Sequence, residues 1–266
     1  MWPLDRSRPT EWVRAGRHAV ERWRGDDRTM VLAGSVPLDP EVAPAAEVLG
    51  RALTSLMGAR PERAPLLMLE SVWLPTSLAD TGRTVWATRE VEALVRHRFG
   101  TLYRDPADPV SGWTLRITHR AGDRYAWGFG LPRDIERAVL GVASNLGFRW
   151  SALLPASAWG ARRLRPERVL SGMHGWWVWS EQDRAIVVGW KGGEVVALNP
   201  CAQVRIDEED VCSAVRIEAA RHGMPLVKQP VALARWCATE ELPGPSERIR
   251  WMSVPGSTSV SAKEAA

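Results

Sequence analysis

Cysteines and long apolar runs are scarce in this sequence of 266 residues. Cys201, Cys212 and Cys237 are odd in number and their spacings fit no zinc site, so we expect no disulfide framework and a reducing compartment. No run of about 18 apolar residues occurs, so we expect no membrane-spanning helix. The first residues lack the apolar segment of a signal peptide, and we therefore expect a cytoplasmic location.

Lysine is nearly absent, because Lys191, Lys228 and Lys263 are the only lysines among 35 basic residues. Two explanations stay open for the excess of arginine: coding bias in a GC-rich genome, or selection for guanidinium groups that bind phosphate or carboxylate. The 35 basic residues face 31 acidic ones, which gives a net charge of +4. This balance argues against nucleic acid as a partner.

Catalytic and cofactor-binding motifs are missing as well. The sequence has no GxSxG, GxxxxGKS, GxxxxGKT or HExxH pattern, and residues 128–130 lack the final glycine and helix start of a dinucleotide fingerprint. The five histidines are scattered, and none lies four residues from another or beside a cysteine. The sequence therefore predicts no catalytic residue, no cofactor, no metal ligand and no enzymatic activity.

One pattern, three strand-like runs followed by a helix, occurs twice in the chain. A duplicated βββα unit predicts an α/β protein with the actin-like, ribonuclease H-like architecture, in which two related halves face each other across a cleft. The first copy comprises residues 12–15, 18–23 and 30–36 with a helix over 42–57, and the second comprises 175–179, 185–190 and 194–198 with a helix over 207–222.

Apolar periodicity and turn residues predict further helices and strands between the two copies. Thr88 is predicted to cap the second helix, with Glu90 and Glu92 in its first turn, where acidic side chains complement the helix dipole. These elements are a strand over 65–69, a helix over 88–102, strands over 112–118 and 124–130, a helix over 132–147 and a strand over 148–154.

The same pass along the chain predicts its organisation. Residues 1–11 form a lead-in, residues 12–165 the first half, and residues 166–254 a second, shortened half. The small and polar residues at 255–266 predict a disordered tail.

The hairpins that would hold phosphate in an actin-like nucleotide-binding protein have the wrong chemistry. Such loops need glycines, whose backbone N–H groups reach the phosphates, and a nearby carboxylate that organises magnesium. Residues 14–17 have one glycine and no carboxylate, whereas residues 180–184 have carboxylates and no glycine. The sequence therefore argues against nucleotide hydrolysis, and a nucleotide-binding switch with weak or no hydrolysis remains the alternative function.

Tryptophan is unusually frequent, with 15 residues. Trp176, Trp177 and Trp179 share one predicted strand, so Trp177 and Trp179 lie on one face and Trp176 on the other. One face is expected to supply core. For the other face, a protein interface is the favoured interpretation, because the remaining tryptophans are dispersed along the chain and do not form a cluster. A sugar-binding platform is the alternative.

The most basic short stretch lies at residues 160–168 and includes Arg162 and Arg163. It is interpreted either as a solvated connector between the halves or as a contact with acidic lipid headgroups or an acidic partner.

The block from Pro65 to Leu154 resembles a known family. It contains an apolar strand ending in residues 69–71, the sequence Val72-Trp73-Leu74-Pro75, a helix with the sequence RHRFGTLY at residues 96–103, and a strand with the sequence GWTLRI at residues 112–117. This order resembles the actin-like, ATP-motif-poor proteins of the inner-membrane assembly platform in bacterial type IV pilus and type II secretion systems.

The resemblance implies a cytoplasmic scaffold or adaptor, associated with the inner membrane through its partner. That partner would be a short cytoplasmic peptide of an inner-membrane protein, with an assembly ATPase as a further candidate. Arg96, His97 and Arg98 are then candidate partner-binding residues, together with Arg162, Arg163, Trp177 and Trp179. The alternative for Arg96, His97 and Arg98 is a solvated helix face.

Overall fold

The computed structural model describes residues 11–25, 30–39, 45–82, 87–103, 112–119, 123–159, 174–181, 184–192, 194–202, 208–224, 231–236 and 249–254. The strands are β1 (Glu11–Ala15), β2 (Ala19–Gly25), β3 (Met30–Pro37), β4 (Leu66–Leu69), β5 (Thr76–Asp80), β6 (Trp113–Thr118), β7 (Tyr125–Pro132), β8 (Ala152–Pro155), β9 (His174–Glu181), β10 (Arg184–Lys191), β11 (Glu194–Ala202), β12 (Val231–Trp236) and β13 (Ile249–Val254). The helices are α1 (Ala46–Met57), α2 (Thr88–Leu102), α3 (Arg133–Asn145) and α4 (Glu208–His222).

Two five-stranded sheets repeat one topology. The first has the order β3-β2-β1-β4-β8 and the second has the order β11-β10-β9-β12-β13. In each sheet the first three strands of the chain pair antiparallel and the last three strands of the sheet order pair parallel. A helix, α1 or α4, follows the third strand of each copy. The predicted duplication of a βββα unit is therefore confirmed.

The first half carries an insertion between β4 and α3. There β5, β7 and β6 form a small antiparallel sheet, and α2 packs on one of its faces through Val91, Val95 and Phe99. In the second half only residues 237–248 separate β12 from β13, too few for such an insertion. The second half is thus shorter, although the predicted domain boundaries themselves remain predictions.

The helices begin and end where local chemistry allows. The backbone N–H of Ala87 donates to the carboxylate of Glu90 over 2.8 Å, so the cap of α2 is Ala87 and not the predicted Thr88, which is the first helical residue. This pairing satisfies a backbone donor that the first helical turn leaves open. Gly58 ends α1 with a φ of +61°, a conformation that costs glycine little.

One predicted strand is corrected. Residues 148–151 are not part of β8, because Phe148 and Trp150 turn their rings onto each other with centroids 4.9 Å apart. The indole N–H of Trp150 donates to the carbonyl oxygen of Val139 over 3.0 Å, which fixes this segment against α3. Side-chain packing on a helix therefore replaces strand pairing at these positions.

Three layers of core follow from the alternation of side chains along the strands. Val13 and Ala15 of β1 face α1 and α3, and Trp176 and Val178 of β9 face α4. The opposite faces of the two sheets meet in a third cluster. None of the described helices has the length and apolar character needed to cross a membrane.

Gly175 provides a test of how tightly the second sheet is packed. A Cβ atom at this position would lie 2.3 Å from Cζ2 of Trp190, a ring that is itself buried. We predict that Gly175→Ala lowers the free energy of unfolding by about 1–3 kcal/mol, measured by urea denaturation, because the ring must shift.

The matched control is Gly141→Ala in α3, where an added Cβ meets nothing within 4 Å. This variant is expected to gain stability of about 0.5–1 kcal/mol from helix propensity. Equal effects of the two substitutions would show that Gly175 is not sterically constrained.

Candidate functional site between the two halves

The hairpins of the two halves occupy equivalent positions. Trp12 pairs with Leu66 of β4 as Trp177 pairs with Ala232 of β12, so the two tryptophans correspond. Counting along both strands from this pair makes Gly16 equivalent to Glu181. The two hairpins, residues 14–17 and 180–184, therefore differ at this equivalent position, which is a glycine in one half and a glutamate in the other.

Glu181 reaches from the second half to the first. Its carboxyl oxygens lie 3.1 and 2.9 Å from the backbone nitrogen of Ser71, which donates to them, and the Ser71 hydroxyl also donates to this carboxyl group. The Glu181 residue is 3% exposed and Ser71 is 6% exposed. A buried carboxyl group that is bound by one residue on the opposite half joins the two halves directly.

A second buried glutamate occupies the first hairpin. Glu70, at the end of β4, is paired with the guanidinium of Arg14, and it accepts the backbone N–H of Arg17 over 3.2 Å. The same carboxylate lies about 3 Å from the point where a Cβ of Gly16 would be. Gly16 is held from the other side by the indole of Trp73, whose N–H donates to its carbonyl oxygen over 2.9 Å. An internal carboxylate thus takes the hairpin donor that a phosphate would need.

The charges in this cluster shift the pKa of two groups. Burial would lower the pKa of Arg14, but the carboxylates of Glu70 and Glu21 outweigh burial and raise it. Burial and the nearby charge of Glu70 raise the pKa of Glu181 to about 8, against the opposing effect of the hydrogen bonds from Ser71 and the charge of Arg14. One of the two glutamates is therefore paired with a cation, and the other is held largely in its neutral form near pH 7.

Six of the 15 tryptophans fill the space between the sheets. Trp177 and Trp179 contact each other with ring centroids 6.1 Å apart, and both are buried. Among the described residues their indole N–H groups have no acceptor, so burial of apolar ring area is what stabilises them here. The cluster also contains Trp12, Trp23, Leu66, Met68, Leu78, Ala152, Ala156 and Trp159 from the first half and Ile186, Val188, Trp190 and Leu198 from the second.

The predicted arrangement of the tryptophans on β9 is confirmed, but their accessibility is corrected. Trp177 and Trp179 share one face and Trp176 lies on the other. Both faces are core, because Trp176 packs against α4 residues such as Val215. β9 therefore offers no tryptophan to a sugar, and in this arrangement Trp177 and Trp179 contact the other half of the same chain rather than a separate partner.

The remaining predicted site residues are not brought together with the tryptophans. Arg96 and His97 lie exposed on α2 and Arg98 is half-buried beside them, behind the buried stripe of Val95 and Phe99. Arg162 and Arg163 lie outside the described residues, as do the rest of the basic stretch, residues 1–10 and the tail at 255–266. A partner-binding role for the α2 residues stays a prediction.

Sequence reasoning considered Glu181 only as a loop carboxylate and did not connect it with Ser71. Glu70 and Ser71 were noted as the end of a strand, without a role. The signal that could have singled out Glu181 is its place in the second hairpin, at the position that corresponds to the glycine of the first. Among the described residues, no group of three or more histidine, cysteine, aspartate or glutamate side chains is placed to hold a metal ion.

Comparison with solved structures identifies the fold. A Bacteroides thetaiotaomicron protein with an actin-like ATPase fold matches 89% of this chain and 85% of its own, with a TM-score of 0.56 and 9% identity. A chain of the PilM–PilN type IV pilus biogenesis complex matches over 84% and 80%, with a TM-score of 0.53 and 13% identity. The cytoplasmic domain of EpsL, an inner-membrane component of the Vibrio cholerae type II secretion system, matches over 91% and 88%, with a TM-score of 0.49 and 14% identity.

No protein-family model and no curated protein matches the sequence. The first two structures share the architecture over most of both chains. This chain therefore has the predicted actin-like fold, and its structural neighbours include a chain of a type IV pilus biogenesis complex, one of the two machines that the sequence resemblance named.

The tryptophan cluster predicts a large stability effect. We expect Trp179→Ala to lower the free energy of unfolding by about 3–5 kcal/mol, because it removes a fully buried ring and leaves a cavity between the sheets. Urea denaturation followed by circular dichroism measures this loss. Trp179→Phe, which keeps an aromatic ring, should lose clearly less, and a loss below about 1 kcal/mol for the alanine variant would contradict the packing.

The raised pKa of Glu181 predicts a pH dependence of stability. The folded state holds this proton up to about pH 8, whereas the unfolded state releases it near its ordinary pKa of 4.5. The contribution of protonated Glu181 is therefore complete below about pH 4.5 and is lost as the pH rises through about 8.

The comparison of wild type with Glu181→Gln isolates this group from the neighbouring Glu70, Glu21 and Arg14, which both proteins keep. Urea denaturation between pH 5 and 9 should show wild type losing stability relative to the variant as the pH rises. A constant difference across this range would contradict a raised pKa.

Proposed function

We propose that this chain is a non-enzymatic adaptor that binds a short, extended cytoplasmic segment of an inner-membrane protein. It acts in a pilus- or secretion-like machine, on the cytoplasmic side of the inner membrane, and is held there by its partner. An assembly ATPase is a further candidate partner. The adaptor works without a nucleotide cofactor.

The observation that carries this proposal is the filled space between the halves. Tryptophans pack the two sheets together, Glu70 accepts a backbone N–H of the first hairpin, and Glu181 accepts the backbone and hydroxyl donors of Ser71 in the turn after β4. A triphosphate would have to displace buried rings and approach two carboxyl groups, which is sterically and electrostatically unfavourable. We therefore expect a partner to bind to the outer surface of the molecule.

The fold also supports an adaptor function. A chain of the PilM–PilN type IV pilus biogenesis complex has this architecture over most of its length. That complex shows an actin-like fold working in an assembly with another protein, and the proposal carries this mode of action to the present chain.

The edge of the first sheet is the surface we assign to the extended segment. β3 is the end strand of that sheet among the described residues, and its Val31 is 67% exposed. Leu32, the next residue, is also exposed. An edge strand with exposed aliphatic side chains can accept another strand, which gains main-chain hydrogen bonds and side-chain contacts.

The adaptor proposal predicts binding without ATP. The cytoplasmic segments of bitopic inner-membrane proteins from the same genome, made as a peptide panel, should include at least one that binds saturably in fluorescence anisotropy. Val31→Asp should weaken that binding at least about tenfold, because a charge replaces an apolar contact at the edge. Leu140→Asp is the matched control, since Leu140 is 52% exposed on α3 and away from this edge.

Three outcomes would contradict the proposal. They are that no segment binds, that binding is equally sensitive to both substitutions, or that calorimetry detects binding of Mg-ATP with a micromolar dissociation constant. The last outcome would favour the nucleotide-binding switch. Arg96→Glu in the same assay tests the α2 surface, and a loss there with none at Val31 would move the binding site from the sheet edge to α2.

A further inference from the structure

The contact between Glu181 and Ser71 has a geometry that goes beyond general packing. We propose that the turn after β4 forms a carboxyl-binding site that the chain's own Glu181 occupies, and that this contact holds the two halves closed without a nucleotide. The inference concerns the interior of the molecule and does not rest on the adaptor function.

The site is built for a carboxyl group. The backbone N–H of Ser71 donates to both oxygens of Glu181, and the hydroxyl of the same residue donates to one of them. The two residues are 110 positions apart in sequence and are both buried. A single residue therefore supplies the donors, and the acceptor comes from the other half.

The turn that presents Ser71 is fixed independently of Glu181. The backbone N–H groups of Trp73 and Leu74 both donate to the carbonyl oxygen of Glu70 over 2.9 Å. Trp73 is fully buried and its indole N–H is bound to Gly16 of the first hairpin. The donor positions thus belong to the first half, and removal of the Glu181 side chain would leave them open to a separate small molecule with the same chemistry.

The ligand class follows from the neighbouring charges. Glu70 is paired with Arg14, and Arg14 is also paired with Glu21 over 3.0 Å, so the carboxyl group at this site lies beside two carboxylates that share one guanidinium. Burial and Glu70 favour the protonated form of Glu181. The site therefore accepts a small monocarboxylic acid or a neutral amide better than a multiply charged anion such as phosphate.

Three substitutions of Glu181 are expected to differ in their effect on the contact with Ser71. Glu181→Gln keeps the length and one acceptor oxygen, so it should preserve the contact. Glu181→Asp is shorter by one methylene and should not reach Ser71. Glu181→Ala removes the group altogether and should lower the thermal midpoint by about 5 °C or more, the amount expected for a few lost buried hydrogen bonds.

A double-mutant cycle tests whether the contact itself carries this effect. Ser71→Ala should lower the thermal midpoint in the wild-type background and have little effect in the Glu181→Ala background. Additive effects of the two substitutions would overturn the proposal, because residues that do not act together add independently. If Glu181→Ala does not fold, Glu181→Asp, whose side chain should not reach Ser71, replaces it in the cycle, and Ser71→Ala is again expected to have little further effect.

Chemical rescue tests the site directly. Sodium acetate at pH 6 should raise the thermal midpoint of Glu181→Ala more than that of wild type or Glu181→Gln, with sodium chloride at equal ionic strength as the control. Sulfate, which is doubly charged at this pH, should give less rescue than acetate. An equal response of all three proteins to acetate, or a rescue by sulfate alone, would overturn the assignment of a carboxyl site.

Discussion

The contact of two apolar sheet faces is the interaction on which the rest of the structure depends. In both sheets most of the alternate side chains that point away from the helices are apolar, with tryptophan at the equivalent positions 12 and 177. These faces can be removed from water only against each other, since helices cover the opposite faces. Burying them commits the two halves to a closed arrangement.

Closure buries backbone donors at the first hairpin and in the turn after β4, and two glutamates accept hydrogen bonds from them. These donors need acceptors once water is excluded. Glu70 accepts a hydrogen bond from the first hairpin and is paired with Arg14. Glu181 accepts hydrogen bonds from Ser71 of the other half and stays largely protonated. The fold thus has the duplicated βββα arrangement, but its own side chains fill the space between the two sheets. Glu70 and Glu181 occupy the hydrogen-bond donors that a phosphate-bearing ligand would need. Function is then expected at the outer surface.

The sequence predicted the duplicated frame because alternation and turn residues are local signals. It did not predict β5, β12 or β13. The sequence of β5, Thr-Ser-Leu-Ala-Asp, lacks a clear alternation of apolar and polar residues, although the strand is mostly buried. The strand β12 pairs parallel with β9 and with β13, so the identity of β12 and β13 depends on long-range pairing. The Ser71–Glu181 contact could not be predicted for the same reason. The alternation of Trp177 and Trp179 predicted that they share a face of the strand, but not that the other half of the chain covers this face.

The central claim is that the halves are closed by their own side chains, and a distance measurement across them tests it most directly. Spin labels at positions 140 and 217, on α3 and α4, replace exposed residues and require a background without the native cysteines. Pulsed electron paramagnetic resonance should then give one narrow distance distribution that Mg-ATP does not change. A broad or two-peaked distribution that Mg-ATP narrows would show an open, nucleotide-responsive cleft and would contradict the account.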